Sequence, residues 1–90
     1  MSSMIAHTEN KFSKTVDEQE CLLEYEFHGT DRVVFYHTYV PESLRGQGLA
    51  MEIIREGLEW AAAKNYKVIP ACSAVRTFIE RNPEYKQYLT

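Results

Sequence analysis

The hydrophobic pattern of this 90-residue chain changes period once, near Pro41. Before Pro41 apolar and polar residues tend to alternate, which is the period-two pattern of β-strands that have one solvent-exposed face. After Pro41 the apolar residues recur at helical spacing, most clearly over 49–64. Since 90 residues match the size of one small domain, we expect a single unit over 1–90, with strands first and helices after them.

Four strands are expected up to Pro41. The weakly patterned segment 3–16 fits one or two short edge strands, and 17–20 indicates a polar turn. Residues 21–28 alternate, and the apolar face of this strand is formed by Cys21, Leu23, Tyr25 and Phe27. Residues 32–40 are rich in Val, Phe, Tyr and Thr, and both of their faces are largely apolar. We therefore expect 32–40 to be a central strand that is covered on both sides.

Helical patterning dominates the second half of the chain. One long amphipathic helix is expected over 49–64, and Asn65 suits the left-handed residue that ends a helix. A short helix is expected over 74–81. After it, Asn82 and Pro83 indicate an N-cap followed by proline at the first position of a last helical turn.

A short buried strand over 67–70 follows the long helix. Together with 32–40 and the helix it forms a β-α-β crossover, so its two strands should be parallel and the crossover right-handed. The expected fold class is therefore α+β. It is a mostly antiparallel meander with one parallel crossover and short C-terminal helices, in the order β-β-β-β-α-β-α.

The charge and hydropathy of the chain argue against two classes of partner, nucleic acids and membranes. The formal net charge is −3, with −4 in residues 1–45 and +1 in residues 46–90. Proteins that bind nucleic acid are usually strongly basic. No apolar run approaches the roughly 18–20 residues of a membrane span. The first residues also lack the basic and apolar regions of a secretory signal. We expect a cytoplasmic protein with neither nucleic acid nor membrane as a partner.

Two cysteines, Cys21 and Cys72, are too few for a disulfide scaffold. The three histidines, His7, His28 and His37, are scattered without metal-ligand spacing, so no metal site is expected. Both cysteines are interpreted as thiols, and Cys21 is assigned to the core because it lies on the apolar face of its strand.

A glycine-containing loop joins the strand 32–40 to the long helix: Arg45-Gly46-Gln47-Gly48-Leu49-Ala50. Glycines permit backbone angles that point consecutive N–H groups at one spot, and the helix N-terminus adds about half a positive charge. Such a loop suits a phosphate or pyrophosphate. It is not a Walker A loop, since no Lys-Ser/Thr pair follows Gly48, and it lacks the third glycine of a dinucleotide fingerprint. A tight strand–helix turn without a ligand explains the two glycines equally well.

Within this loop Arg45, Gly48 and Ala50 resemble the Gln/Arg-x-x-Gly-x-Gly/Ala motif that binds pyrophosphate in the GNAT N-acetyltransferase superfamily. Three further segments are similar to a very small GNAT-like N-acetyltransferase domain family: 37–41, 68–73 and 81–85. The resemblance runs from about residue 12 to residue 89. It implies a strand with a bulge before the loop and a next strand that splays away, leaving a gap for the pantetheine arm of acetyl-CoA.

What the resemblance implies is a minimal site for acetyl-CoA or coenzyme A. Backbone N–H groups of the loop and first helical turn would hold the pyrophosphate, and the end of the preceding strand would pair with the pantetheine amide. The residues assigned to this site are Tyr39, Val40, Arg45, Gly46, Gln47, Gly48, Leu49, Ala50, Met51, Ser73 and Asn82.

Cys72 is the main candidate for chemistry, because oriented N–H groups between a short strand and a helix favour a thiolate. The resemblance implies that this thiolate accepts the acetyl group and passes it to an amine. A packed free cysteine is the alternative. His37 could activate Cys72 or the acceptor amine, or it is a hydrogen-bonded core histidine. His7 and His28 are expected on the surface.

Two functions remain open: an N-acetyltransferase, or a non-catalytic acyl-CoA-binding or interaction module on the same fold. The acidic run over 17–26 is either a solvated face or an attraction for a basic acceptor, such as a lysine side chain or polyamine, with Glu24 or Glu26 as a possible base. Larger GNATs place acceptor-binding helices between their first strands, and residues 3–20 are too few for them. The acceptor site is then open, absent, or built by a partner chain, and exposed edge strands allow a homodimer as well as a monomer.

Overall fold

The structure is a computed structural model that describes residues 5–90. Its strands are β1 (Ala6–Thr8), β2 (Lys11–Val16), β3 (Gln19–Phe27), β4 (Arg32–Tyr39) and β5 (Lys67–Pro70). Its α-helices are α1 (Leu49–Ala63) and α2 (Ser73–Arg81), and short 3₁₀ helices cover Glu42–Leu44 and Pro83–Tyr88. The predicted order of elements is confirmed. Residues 3 and 4 of the predicted edge-strand segment lie outside the described residues.

The five strands form one sheet in the order β1-β2-β3-β4-β5. The first three pairs are antiparallel and β4 pairs with β5 in parallel, so the meander and the parallel crossover are both confirmed. Two-residue turns join the first three strands. Asp17 and Glu18 both have positive φ, 52° and 65°, as in the primed turns that match the twist of a hairpin.

The hydrophobic core lies between one face of the sheet and the helices. The buried residues of α1 are Leu49, Ile53, Ile54, Gly57, Leu58 and Ala61. At Gly57 the helix approaches the sheet so closely that a Cβ would lie 2.8 Å from Leu23 Cδ2 and 3.1 Å from Phe35 Cε1. This approach therefore depends on glycine at position 57. Within residues 5–90 the helices fall short of the length and apolar character that a membrane crossing requires.

A β-bulge interrupts β4 at Tyr36. Phe35 pairs with Tyr25, Tyr36 is skipped, and His37 pairs with Glu24. An extra residue in one strand reverses the alternation of side chains beyond it. Consequently Thr38, which pairs with a residue of the buried face of β3, lies on the core side of the sheet. The bulge implied by the GNAT resemblance is present.

The expectation that both faces of β4 are covered is wrong. Val33 and Phe35 are fully buried, whereas Tyr36 and Tyr39 are each 45% exposed. The helices and the buried strand residues form a single cluster, so the opposite face of the sheet is largely open. Phe27, grouped with the core face by its alternation, is 48% exposed because β3 ends there.

β4 and β5 separate at the level of the bulge. Their parallel pairing ends at Phe35 and Pro70, and the Ala71 N–H then donates to the Phe35 carbonyl at 3.0 Å. Proline also lacks the N–H that would extend a ladder. Since β4 continues to Tyr39, its last residues extend beyond the pairing with β5.

Candidate functional site

A cavity of about 250 Å³ lies where the glycine loop meets the end of β4. It is lined by Val40, Leu44, Arg45, Gly46, Gly48, Leu49, Ala50 and Met51. The structure thus brings together most of the residues assigned to the pyrophosphate, with Gln47 outside the lining and exposed to solvent. A phosphate-sized group has room here.

The conformation of the loop depends on its two glycines. Gly46 and Gly48 have φ values of 85° and 77°, in the left-handed region that other residues rarely adopt. Gly48 directly precedes α1, and its carbonyl accepts the Glu52 N–H at 3.1 Å. The first N–H groups of α1 have no partner inside the helix. They point toward the helix N-terminus, where an anion is stabilised.

The acidic side chain in the first turn of α1 is paired. Lys14 Nζ lies 3.0 Å from both carboxylate oxygens of Glu52. An unpaired carboxylate in the first helical turn would repel a phosphate bound at the same helix end. The ion pair with Lys14 offsets that repulsion, so the loop keeps its preference for an anion.

Arg45 links the loop to the end of β4. Its Nε donates a hydrogen bond to the Val40 carbonyl at 2.9 Å, and its side chain is exposed at the cavity edge. The guanidinium therefore supplies positive charge beside the glycine loop. It also fixes the bend between β4 and the loop.

Cys72 lies beside the end of β4, directly before α2, and it is partly buried. Its Sγ is 3.2 Å from Thr38 Oγ1. Burial raises the pKa of Cys72, but hydrogen bonding from the Thr38 hydroxyl and the backbone amides of Val75, Ala74 and Thr38 outweighs it, so the pKa lies below its ordinary value. The Cys72 thiol is therefore partly accessible, and its hydrogen bonds favour the thiolate.

Cys21 has the opposite environment. It is fully buried on the core face of β3, as expected from its position in the strand. Burial raises the pKa of Cys21, and Glu20 adds to this effect while Lys14 opposes it. Both cysteines are free thiols, but only Cys72 combines access with a lowered pKa.

Three other residues assigned to the site, His37, Tyr39 and Ser73, are exposed. His37 is exposed and pairs with Glu24, on the sheet face opposite Thr38. Among residues 5–90, the side chain hydrogen-bonded to Cys72 is Thr38 rather than His37. Tyr39 ends β4 and is exposed. Ser73 is the exposed first residue of α2.

Asn82 does not cap the last helical turn as expected. Its Nδ2 donates to the Phe78 carbonyl at 2.9 Å, so it caps the C-terminus of α2, and it makes no side-chain capping bond to the 3₁₀ helix after it. The reason is that the Phe78 carbonyl, which accepts the Asn82 backbone N–H at 2.9 Å, has a second lone pair within reach of the Asn82 side-chain amide.

Thr38 is the site residue that sequence reasoning missed. Simple alternation from Val33 places His37, and not Thr38, on the face of Phe35. The bulge at Tyr36 places Thr38 on the face of Phe35 and His37 on the opposite face. The available indication was the bulge implied by the GNAT resemblance, which shifts the alternation by one residue if it lies between Phe35 and Thr38.

Comparison with known proteins agrees with this geometry. Residues 11–89 match the family model of the GCN5-related N-acetyl-transferases. Protein NATD1 of Danio rerio is 30% identical over 70 residues, covering 78% of this chain and 63% of that protein. Protein NATD1 of Homo sapiens is 31% identical over 68 residues, covering 76% and 59% respectively. The chain spans less than two thirds of the length of these relatives.

A solved structure supports the same assignment. The NMR solution structure of a GCN5-like candidate N-acetyltransferase from Staphylococcus aureus superimposes with a TM-score of 0.78. The two sequences are 29% identical, and the match covers 100% of this chain and 91% of that one.

Proposed function

The chain belongs to the GCN5-related N-acetyltransferase family, and we propose that it binds acetyl-CoA and transfers the acetyl group to an amine. The observation that carries this proposal is the order of three features along β4: Thr38 beside the Cys72 thiol, the strand end beyond the pairing with β5, and the glycine-loop cavity that begins at Val40. A phosphate site, a strand edge and a nucleophile in that order suit a cofactor with a pyrophosphate at one end and a thioester at the other.

The loop residues fit the cofactor through their backbone. N–H groups of residues 46–51 would hold the pyrophosphate, and Arg45 would add positive charge beside it. Tyr39 and Val40 would offer backbone groups to the pantetheine amide, because β5 no longer pairs with this part of β4. Ser73 and Asn82 are proposed as further contacts near α2. One Nδ2 hydrogen of Asn82 donates to Phe78, so its carbonyl oxygen and its second amide hydrogen would contact a ligand.

Cys72 is the proposed nucleophile. Its thiolate would add to the acetyl carbonyl carbon, the bond from that carbon to the CoA sulfur would break, and CoA would leave and take a proton from water. The acceptor amine would then attack the acetyl-Cys72 thioester, lose a proton to solvent, and regenerate the Cys72 thiolate. The lowered pKa of Cys72 favours the ionised form that this chemistry needs.

The alternative is a non-catalytic acyl-CoA-binding module on the same fold. It is favoured by the two-residue turns between β1, β2 and β3, because larger GNATs build their acceptor pocket from helices at this point. An enzyme would then receive its acceptor on an open surface or from a partner chain. The acidic side chains Glu24 and Glu26 face the open side of the sheet and would attract a basic acceptor, such as a lysine side chain or a polyamine, in the cytoplasm.

The binding proposal is tested by thermal unfolding with and without acetyl-CoA. We expect saturating acetyl-CoA to raise the midpoint temperature of the wild-type protein, because a ligand bound to the native state stabilises it. Gly48→Trp should abolish the shift. Gly29→Trp is the matched control, since Gly29 also has a positive φ, 81°, and open space around it, but lies in the β3–β4 turn. An unchanged midpoint for the wild-type protein would refute the proposal.

A further inference from the structure

The bulge in β4 determines which side chain meets the proposed nucleophile. Without Tyr36, alternation from Phe35 would place His37 on the core side of the sheet. With it, Thr38 pairs with Leu23 and its Oγ1 lies 3.2 Å from Cys72 Sγ. We propose that Thr38 is a positioning residue, whose hydroxyl orients the Cys72 sulfur and donates a hydrogen bond to it when it is ionised.

Thr38 is held firmly enough for this role. Its backbone pairs with the fully buried Leu23 on β3, so its Cα position follows the sheet. A β-branched side chain also has few χ1 rotamers, which restricts the direction of the hydroxyl. Cys72, in contrast, lies outside the strands at the start of α2. The sheet therefore provides the fixed partner, and Cys72 is the group that is oriented.

When Cys72 is ionised, the Thr38 hydroxyl is the donor of their hydrogen bond. Either group can donate while Cys72 is a thiol, but a thiolate has no proton, so the Thr38 O–H must then donate. This bond weakens when the sulfur becomes part of a thioester, whose sulfur is a poor acceptor, and strengthens when the thiolate leaves again. Thr38 keeps its proton throughout, and no atom of Thr38 is transferred. The inference rests on the proposed function of Cys72 as the acetyl acceptor.

Charged groups do not explain the environment of Cys72. The causes that shift its pKa are burial and hydrogen bonds, without a contribution from any charged side chain of the described residues. On β4, His37 faces the other side of the sheet. On α2, the Arg76 Nη1 donates to the Pro70 carbonyl at 2.9 Å. Among residues 5–90, the Thr38 hydroxyl is the side-chain group that is hydrogen-bonded to the sulfur.

The test is the pH profile of Cys72 alkylation, measured without cofactor between about pH 5 and 10.5. Iodoacetamide modifies the thiolate, and mass spectrometry of the Cys72 peptide gives the rate. Thr38→Val keeps the shape of the side chain but loses the hydroxyl. We expect the midpoint of its profile to move to higher pH and the rate at neutral pH to fall about threefold to tenfold, since a hydrogen bond to an ionised group is lost.

Two control variants distinguish positioning from packing. Thr38→Ser keeps the hydroxyl and should restore most of the wild-type profile. Thr15→Val makes the same substitution at an exposed strand position that pairs with Glu20 and should leave the profile unchanged. Protection of the buried Cys21 from alkylation shows in each sample that the fold is intact. A Thr38→Val profile identical to the wild-type one would overturn the inference, as would a Thr38→Ser profile that matches Thr38→Val.

The two proposals fail separately. If the wild-type protein shows no stabilisation by acetyl-CoA, the proposed function fails whatever the alkylation profile shows. If the wild-type protein binds acetyl-CoA and Thr38→Val leaves the profile of Cys72 unmoved, only the positioning role fails.

Discussion

The Nε of Arg45 donates a hydrogen bond of 2.9 Å to the carbonyl of Val40, across the bend that joins β4 to the glycine loop. One side chain therefore connects the two parts of the proposed cofactor site, the strand end and the phosphate loop. Hydrogen bonds from a charged donor are stronger than neutral ones, so this contact holds the loop next to the strand while it leaves positive charge at the cavity.

Replacement of Arg45 should weaken cofactor binding. We expect Arg45→Ala to raise the Kd for acetyl-CoA about tenfold, since one charge-assisted hydrogen bond and one favourable charge are lost. Titration calorimetry gives the Kd. Arg81→Ala removes an exposed arginine at the C-terminal end of α2 and should leave the Kd within about twofold. Equal effects of the two substitutions would contradict a specific role for Arg45.

The close approach of α1 to the sheet predicts the effect of a single methyl group. Gly57→Ala should lower the free energy of unfolding by about 1 kcal/mol, because overpacking against Leu23 and Phe35 exceeds the gain in helix propensity. Urea unfolding measures this change. Helix propensity alone predicts an increase of about 1 kcal/mol, so a stabilised variant would show that the contact relaxes without cost.

The two thiols should differ in their reaction with acetyl-CoA. Incubation should add one acetyl group to Cys72 and none to Cys21, which is fully buried and has a raised pKa. Intact mass and peptide mapping report the site. Cys72→Ala should abolish the adduct, and Cys21→Ala should retain it. Turnover of an amine by a protein whose Cys72 stays unmodified would favour direct transfer from acetyl-CoA instead.

The free energy of unfolding should decrease as the pH falls from about 6.5 toward the lowered native pKa of His7. The His7 ring stacks on Phe12 with centroids 4.0 Å apart, and its Nε2 lies 2.6 Å from Tyr25 Oη. His7 is exposed, as expected, but partial burial of its ring lowers its pKa, and the weaker influence of Glu56 opposes this shift. Below about pH 6.5 the unfolded chain therefore binds a proton more readily than the native state, so the free energy of unfolding decreases as pH falls through the native pKa.

Urea midpoints above and below this range measure the effect. His7→Gln should flatten the decrease in midpoint, whereas His28→Gln, at the exposed end of β3, should keep the wild-type slope. A His7→Gln protein with the full wild-type slope would assign the pH dependence to other groups.

The sequence predicted those parts of the molecule that depend on local pattern. The alternation in β3 identified Cys21 as a core residue, and the helical spacing after Gly48 identified the buried face of α1. The glycine loop was predicted because left-handed backbone at Gly46 and Gly48 has a clear residue preference.

What the pattern did not predict depends on tertiary context. No residue type specifies the bulge at Tyr36, so the exchange of His37 for Thr38 beside Cys72 follows only from strand register. Asn82 can cap either of two helices, and the geometry of the end of α2 decides between them. The apolar residues on both faces of β4 predicted two covering layers, but the helices pack on one side.

The unequal lengths of β4 and β5 also affect how fast backbone protons exchange with water. Past Phe35, the edge of β4 that faces away from β3 has no strand partner within residues 5–90, so N–H groups there should take up deuterium quickly. A molecule lying along this edge would slow that uptake over residues 37–40. The end of β4 is thus a natural reporter of occupancy, and its deuterium uptake can be followed even in a protein that lacks Cys72.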